Sequence, residues 1–193
     1  MPRISTTSLA QHRDWRRNQL IEAAAAIALE SGGEAVTVAA VAQRAGLSRT
    51  SVYEYFSSSS DLVADLIIDE LTRFANALEV SIAGKDDPYA SLESWISTSL
   101  SYVADGRHLL AKALNAADLP RERSAAIGAA HRTLLAPLTK SLQEIGITDI
   151  PQALSLLQSA TDAATKRIEN GNDAECEITM TTAFCIAGIR ALT

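Results

Sequence analysis

The residues best suited to chemistry lie close together, where the chain reads Ser-Arg-Thr-Ser-Val-Tyr from Ser48 to Tyr53. Arg49 carries a planar guanidinium group, which can hold a phosphate or the edge of a guanine through two hydrogen bonds. The hydroxyl groups of Ser48, Thr50 and Ser51 can donate hydrogen bonds to the same acceptors. The chemistry that this segment predicts is recognition of a polyanion, with no bond made or broken.

A helix-turn-helix must position these side chains, and the spacing of residues 36–56 predicts one. Thr37 can cap a first helix, and Gly46 supplies the left-handed backbone that a tight turn needs. Hydrophobic residues of both helices then form a shared core, while Thr50 and Glu54 point outward on a face that fits a major groove. From spacing alone, a helical hairpin with a merely solvated polar face remains an alternative.

A more specific pattern runs through residues 16–67. Its elements are Arg17-x-x-Leu20-Ile21-x-Ala23-Ala24, Thr37-Val38 after a glycine, Val41-Ala42-x-x-Ala45-Gly46-Leu47-Ser48 and Tyr53-x-Tyr55-Phe56. In order and spacing this pattern resembles the N-terminal domain of the tetracycline-repressor (TetR) family of bacterial transcription regulators. The resemblance implies a homodimer that binds a palindromic operator, most often as a repressor that a small-molecule effector releases from DNA.

The resemblance also assigns roles in DNA binding to individual residues. The implied contacts are Arg17, Thr37, Ser48, Arg49, Thr50, Ser51, Tyr53, Glu54 and Ser59. Arg49 is the best suited to reading a base, and Tyr53 is expected to bond the DNA backbone. Glu54 either accepts from a cytosine amino group or lies at the groove wall. Ser59 stands where family members commonly have a lysine that reaches phosphate, so a full charge is missing there.

The distribution of charge bears on how an acidic protein could hold DNA. The chain has a net charge of −6, yet residues 1–60 contain six arginines, no lysine and five acidic residues. The acidity therefore belongs to the remainder of the chain. We expect the grip on DNA to rely on hydroxyl groups, helix-start amides and a few arginines, doubled by dimerisation.

Composition and periodicity predict an all-α fold of about nine helices. Hydrophobic residues make up 47% of the 193 residues and aromatic residues only 5%, and the excess lies in helix-forming Ala and Leu. We expect a helix-turn-helix domain at 1–58 and an effector-binding and dimerisation domain at 59–193. No apolar run approaches the ~20 residues of a membrane span, and the N-terminus has no signal-peptide pattern, so a cytoplasmic protein is expected.

The last two predicted helices, 150–169 and 173–192, carry apolar residues on more than one face. A helix that is apolar on two sides must be covered on two sides. One side can face the core of the protomer and the other a partner chain, as the resemblance to a homodimeric family implies. A fully buried helix in a monomer is the alternative.

A ligand pocket is implied by the resemblance, and its candidate residues are Phe74, Trp95, Tyr102, His108 and His131. Trp95 and Tyr102 lie seven residues apart and so share one face of a helix. Each candidate has a purely structural alternative, in the core or on the surface. With so few aromatic and charged residues, the pocket is expected to suit a small or lipophilic effector, unless it has lost its ligand.

Metal, cofactor and enzyme chemistry find no matching pattern in the sequence. His108, His131 and Cys176 are scattered without ligand spacing, and there is no phosphate loop or nucleophile elbow. We therefore expect no metal, no cofactor and no enzymatic activity. Within DNA binding, the alternatives are an activator or an effector-free regulator. Outside it, they are a helical small-molecule binding protein with a vestigial DNA-binding head and an enzyme on a helical scaffold.

Overall fold

The computed structural model describes residues 6–114 and 123–193, and each regular element in these ranges is a helix. The α-helices are α1 (Thr6–Ser31), α2 (Val38–Ala45), α3 (Arg49–Tyr53), α4 (Ser59–Ile82), α5 (Pro88–Ala104), α6 (Leu109–Leu114), α7 (Ser124–Ile145), α8 (Ile150–Glu169) and α9 (Ala174–Arg190). A 3₁₀ turn, Gly33–Ala35, precedes α2. The predicted all-α fold of about nine helices is confirmed over this part of the chain. None of its helices is long and apolar enough to cross a membrane.

The chain forms two compact units, and the first contains Met1–Glu70 and Leu109–Ile127. Its buried core includes Leu20, Ala24, Val41, Val52, Phe56, Leu62, Leu66, Leu110 and Leu114. Helix α1 packs against α2 and α6, and α2 packs against α3. Helix α3 has only five residues, too few for a stable isolated helix, so its position depends on this core.

The backbone of α6 approaches the 3₁₀ turn before α2 closely. Gly33 is buried, and a Cβ atom at this position would lie 2.6 Å from the carbonyl oxygen of Ala113. A glycine is required because the obstacle is backbone, which cannot rotate away as a side chain would. Residues far apart in sequence thus meet in one core.

The core of the first unit continues past residue 58, where the sequence predicts a domain boundary. Leu62, Val63 and Leu66 on the first turns of α4 are buried in it, and α6 joins it from later in the chain. The packing units therefore differ from the functional division into 1–58 and 59–193, which stays a prediction.

The second unit contains Leu71–His108 and Gly128–Thr193. Helix α5 packs against α8 and α9, and α8 packs against α9. The buried core includes Leu78, Leu92, Trp95, Ile96, Leu100, Leu138, Leu142, Leu157, Ala164 and Ile189. Small residues such as Ala153 and Ala164 leave room for close helix packing.

Helices α5 and α7 are joined by a side-chain hydrogen bond near a proline. Pro137 lies inside α7, where it removes one backbone donor and disturbs the preceding turn. In that turn, the carbonyl oxygen of Leu134 accepts a hydrogen bond from the indole N–H of Trp95 at 3.3 Å. Trp95 is only 7% exposed, so its single donor is fully used inside the protein.

Candidate nucleic-acid interface and ligand cavity

Helix α2 begins at a threonine cap. Thr37 has an extended backbone, and its Oγ1 accepts a hydrogen bond from the N–H of Ala40 at 3.1 Å. This confirms the capping role predicted for Thr37. The bond uses a lone pair of the hydroxyl group and leaves its hydrogen to be donated elsewhere. Thr37 is exposed, so that donor faces solvent.

The turn between α2 and α3 has the geometry of a helix-turn-helix. Gly46 adopts φ 67° and ψ 31°, the left-handed conformation predicted for it. Ser48 then caps α3, because its Oγ accepts from the N–H of Ser51 at 3.1 Å. The two serine Oγ atoms lie 3.0 Å apart, so one hydroxyl hydrogen joins them and the other is available to an external acceptor.

The outer surface of α3 carries four of the predicted contact residues. Arg49, Thr50, Tyr53 and Glu54 are all exposed, and the Tyr53 side chain is 57% exposed although it is aromatic. None of the four forms a hydrogen bond or ion pair through its side chain with a residue that the structure describes. Val52 between them is fully buried, which fixes the orientation of the helix.

Arg17 does not share this exposed surface. Its Nη2 atom forms an ion pair with Oδ2 of Asp65 at 2.5 Å, and its guanidinium carbon lies 5.8 Å from the ring centre of Phe56. Asp65 also pairs with Arg123, whose Nε lies 3.3 Å from Oδ1 of Asp61. A DNA contact from Arg17 stays a prediction, and it would compete with this ion pair.

The start of α4 is shaped by serine and aspartate side chains. Ser59 Oγ accepts a hydrogen bond from the N–H of Val38 at 3.1 Å, which links α4 to the first turn of α2. Ser58 Oγ accepts from the N–H of Asp61, while the Asp61 carboxylate accepts from the N–H and Oγ of Ser57. A carboxylate thus lies at a helix start where we expected phosphate binding, and Arg123 offsets its charge.

A third arginine of the first unit, Arg44, is also engaged. Arg44 forms an ion pair with Glu30, with 2.6 Å between Nη1 and Oε2. The hydrogen bond between the two side chains lowers the pKa of Glu30 and raises that of Arg44. Arg49 on α3, by contrast, forms no ion pair with an acidic residue that the structure describes.

The second unit contains a cavity of about 170 Å³ between α4, α5, α7 and α8. Its apolar lining includes Phe74, Trp95, Leu134, Leu138, Leu154 and Leu157. His131 also lines the cavity, so three of the five predicted ligand residues are brought together here. Their actual contact with a ligand stays a prediction.

The other two predicted ligand residues lie outside this lining. Tyr102 stacks on Phe74, with 4.4 Å between ring centres, and so supports a cavity residue from behind. His108 Nε2 lies 2.8 Å from Oε1 of Glu169, which joins the turn after α5 to the last residue of α8. Their positions fit supporting rather than contacting roles.

Sequence reasoning missed the polar side of the cavity. Gln158, Thr161, Asp162 and Thr165 all line it from α8. Their spacing places them on one face of that helix, and this stripe of polar residues beside buried leucines was the available signal. The pairing of Arg123 with Asp61 and Asp65 had no comparable signal, because it joins distant parts of the chain.

Comparison with known proteins supports this reading of the first unit. Residues 20–66 match the family model described as bacterial regulatory proteins, tetR family. The uncharacterized HTH-type transcriptional regulator YfiR of Bacillus subtilis is 32% identical over 98 residues, covering 49% of this chain and 47% of YfiR. The HTH-type transcriptional repressor KstR2 of Rhodococcus jostii is 32% identical over 96 residues, covering 48% and 45%. The chain thus spans about half the length of these relatives.

Solved structures extend the likeness in fold to nearly the whole chain. The fatty acid degradation regulator FadR of Bacillus halodurans has a TM-score of 0.73 at 19% identity, covering 91% of this chain and 96% of that one. FadR of Bacillus subtilis, solved with stearoyl-CoA, has a TM-score of 0.73 at 23% identity, covering 88% and 97%. At these identities the likeness establishes the fold.

A helix-turn-helix with an exposed recognition surface, carried on an all-helical chain, has the form of a DNA-binding site. The matched family model and the two relatives all describe transcription regulators. The chain is thus similar to the TetR family of bacterial transcription regulators, through the family model over residues 20–66 and through two relatives matched over about half of their length.

Proposed function

We propose that the protein is a homodimeric transcription regulator of the bacterial cytoplasm, which represses by binding a palindromic operator and leaves it when a small-molecule effector binds. In this proposal residues 1–58 contact DNA, and residues 59–193 bind the effector and dimerise. The observation that carries it is the surface of α3, where Arg49, Thr50 and Tyr53 are exposed and uncommitted among the described residues. The repressive sign follows the relative KstR2, which is named a repressor.

The hydroxyl groups around α3 support phosphate binding by a protein with few free cations. Thr37, Ser48 and Ser59 each accept a hydrogen bond from a backbone N–H. A hydroxyl that accepts in this way still has its own hydrogen to donate, and phosphate oxygens are acceptors. These groups and the helix-start amides can therefore hold a DNA backbone alongside Arg49.

The exposed apolar side chains on α8 and α9 support dimerisation through 150–169 and 173–192. Met180 and Phe184 are 66% and 71% exposed, and Leu156 and Leu192 are also exposed. Gly188 lies with Leu156, Phe184 and Leu192 in one surface groove, where the absence of a side chain would let a partner helix approach closely. Apolar surface of this kind marks an interaction site, and two-fold symmetry would present two α3 helices to an inverted repeat.

The cavity of the second unit is the proposed effector site. Its lining is mostly apolar, with a few polar groups on one side, as is usual for small-molecule sites. A regulator of the same fold, FadR of Bacillus subtilis, was solved with a small-molecule ligand. If effector and operator favour different arrangements of the dimer, each must weaken the binding of the other by the same factor.

Selection from a random DNA duplex pool tests the proposal directly. Wild-type protein, Arg49→Ala and the control Arg132→Ala, which changes an exposed arginine of α7, would be compared at one salt concentration. Wild type and Arg132→Ala should enrich the same inverted repeat. Arg49→Ala should lose about 1–3 kcal/mol at one base position in each half-site, because a bidentate base contact disappears.

Two results would contradict the proposal. One is the absence of any enriched repeat with protein shown to be folded and free of bound small molecules. The other is an enriched site without two-fold symmetry, which would exclude the proposed dimeric recognition. If Arg49→Ala lowered affinity equally for all sequences, Arg49 would be a phosphate contact and another residue would read the base.

A further inference from the structure

The polar groups that line the cavity differ in what they can still offer a ligand. Trp95 gives its only N–H to the carbonyl of Leu134. Ser99 Oγ donates to the carbonyl of Ile96 at 2.8 Å. These donors are used by the protein, so Trp95 has nothing further to donate, and Ser99 offers only oxygen lone pairs.

The polar stripe on α8 follows the same pattern. Thr161 Oγ1 lies 3.1 Å from the carbonyl oxygen of Leu157 and 3.0 Å from that of Gln158, so its hydrogen is directed to its own helix. Asp162 one residue on is a carboxylate, which accepts hydrogen bonds and donates none when ionised. Gln158 and His131 can do either. Thr165 Oγ1, which forms no hydrogen bond with a residue that the structure describes, can also do either. Ser99, Thr161 and Asp162 therefore offer acceptors only, whereas no group of the described lining offers a free donor only.

Charge acts in the same direction as hydrogen bonding. Asp162 lies at the exposed rim of the cavity and forms no ion pair with any residue that the structure describes, including Lys166 one turn further along α8. No lysine or arginine is present in the described lining. Among the described lining residues the formal charge is thus negative, in the part of the sequence that carries the chain's excess of acidic residues.

The size of the cavity limits the ligand as well. Its volume is about 170 Å³, close to the ~150 Å³ of an engineered apolar cavity that holds benzene. A single ring with a short polar arm fills such a space. A long acyl chain with a polyphosphate headgroup would need more volume and would need cations, which this lining lacks.

We propose that the cavity binds a small lipophilic amine in its protonated form. This inference rests on the proposed function of the cavity as the effector site and specifies the class of effector. The hydrocarbon part lies against Phe74, Trp95 and Leu138, where apolar surface is removed from water. The ammonium group supplies three donors to the acceptors of Thr161, Ser99 and the Asp162 carboxylate. The ligand class thus differs from the stearoyl-CoA found in the FadR of similar fold.

Three probes of nearly equal shape separate charge from size. Calorimetric titration with 2-phenylethylamine, 2-phenylethanol and phenylacetate presents a cation, a neutral molecule and an anion to the same protein at neutral pH. The amine should bind most tightly and phenylacetate most weakly. Asp162→Asn should weaken the amine roughly two- to fivefold and leave the alcohol unchanged, the modest size reflecting the exposed position of the carboxylate.

Asp86→Asn is the matched control, since Asp86 is an exposed acid in the α4–α5 turn of the same unit. It removes the same charge away from the cavity and should leave all three affinities unchanged. Equal or tighter binding of phenylacetate, no binding of the amine, or an equal effect of the two substitutions would each overturn the proposal.

The outcome also separates this proposal from the proposed function. An inverted repeat selected by the protein, together with no amine binding, leaves the regulator intact and removes the ligand class. Amine binding without any selected DNA keeps the ligand class and removes the regulator. When both hold, saturating amine should lower affinity for the selected DNA, and Asp162→Asn should raise the amine concentration that this needs.

Discussion

Serine and threonine hydroxyl groups around α3 and around the cavity have opposite hydrogen-bonding roles. In the first unit, Thr37, Ser48 and Ser59 accept hydrogen bonds from backbone N–H groups. Around the cavity of the second unit, Ser99 and Thr161 donate to backbone carbonyl oxygens. The side chains are chemically alike, so the difference comes from where each one lies along a helix.

Helix geometry accounts for this contrast. The first amides of a helix lack a partner within it, so a hydroxyl group there becomes an acceptor. In a helix interior the nearest group that a hydroxyl can reach is the carbonyl of the preceding turn, so it becomes a donor. Helix starts therefore present donors to their surroundings, which suits phosphate, and helix interiors present acceptors, which suits an ammonium group.

The largest effect should come from removing the core that holds the helix starts in place. Phe56 is 1% exposed in the core of the first unit. Phe56→Ala should lower the free energy of unfolding by about 3–5 kcal/mol, because a large cavity replaces the ring. The five-residue helix α3 would lose its support, so binding to the selected DNA should be lost as well.

Urea unfolding followed by far-UV circular dichroism measures the first effect, and a DNA titration measures the second. Leu29→Ala is the matched control, because Leu29 is an exposed leucine in the same unit. Its free energy of unfolding should change by less than about 0.5 kcal/mol. Equal effects of the two substitutions would show that Phe56 does not anchor the helix-turn-helix.

Much of the first unit could be predicted from the sequence because its determinants are local. The cap at Thr37, the left-handed Gly46 and the cap at Ser48 lie within a dozen residues and obey general rules for helix ends. Helical periodicity then placed Val52 inward and Thr50 outward. The same rules could not reveal that Asp65 engages Arg17, since that pair joins α1 to α4.

The cavity of the second unit was only partly predictable, because it forms where distant helices meet. Phe74, Trp95 and His131 could be nominated as ligand residues by type, but their type does not tell which side chains face one space. The same reasoning by residue type also nominated Tyr102 and His108, which lie outside the lining. The donor of Trp95 is consumed by a carbonyl 39 residues away, which no local pattern indicates.

Replacing one serine in each unit should change the free energy of unfolding by an intermediate amount, with opposite signs in the two units. Ser48→Ala removes a helix cap and should lower the free energy of unfolding by about 1 kcal/mol. Ser99→Ala removes a hydroxyl that bonds only its own helix, and alanine is the better helix former. It should therefore leave stability unchanged or raise it by up to about 0.5 kcal/mol. Urea unfolding of both variants beside wild type measures the two changes.

The same pair of variants also tests the hydroxyl roles in binding. Ser48→Ala should weaken binding to the selected DNA without changing amine affinity, and Ser99→Ala should weaken the amine without changing DNA affinity in its absence. Destabilisation by Ser99→Ala as large as that by Ser48→Ala would remove the distinction between helix start and helix interior.

The smallest predicted effect on the free energy of unfolding at neutral pH concerns the thiol of Cys185, in the interior of α9. Cys185 lies buried within α9, and burial raises the pKa of its thiol to about 11. In Cys176→Ser protein, Cys185 is the one remaining cysteine. Its reaction with iodoacetamide at pH 8 should be roughly a hundredfold slower in native buffer than in urea, because less thiolate is present and the sulfur is covered.

The raised pKa of Cys185 also makes stability depend on pH. Since the folded state holds the thiol proton more tightly, the contribution of Cys185 to stability is complete below pH 9 and is lost as pH rises through 11. The unfolding free energies of Cys176→Ser protein and its Cys185→Ala derivative, measured across this range, should therefore converge as pH rises, and a constant difference between them would show that the buried thiol is not protonated preferentially in the folded state.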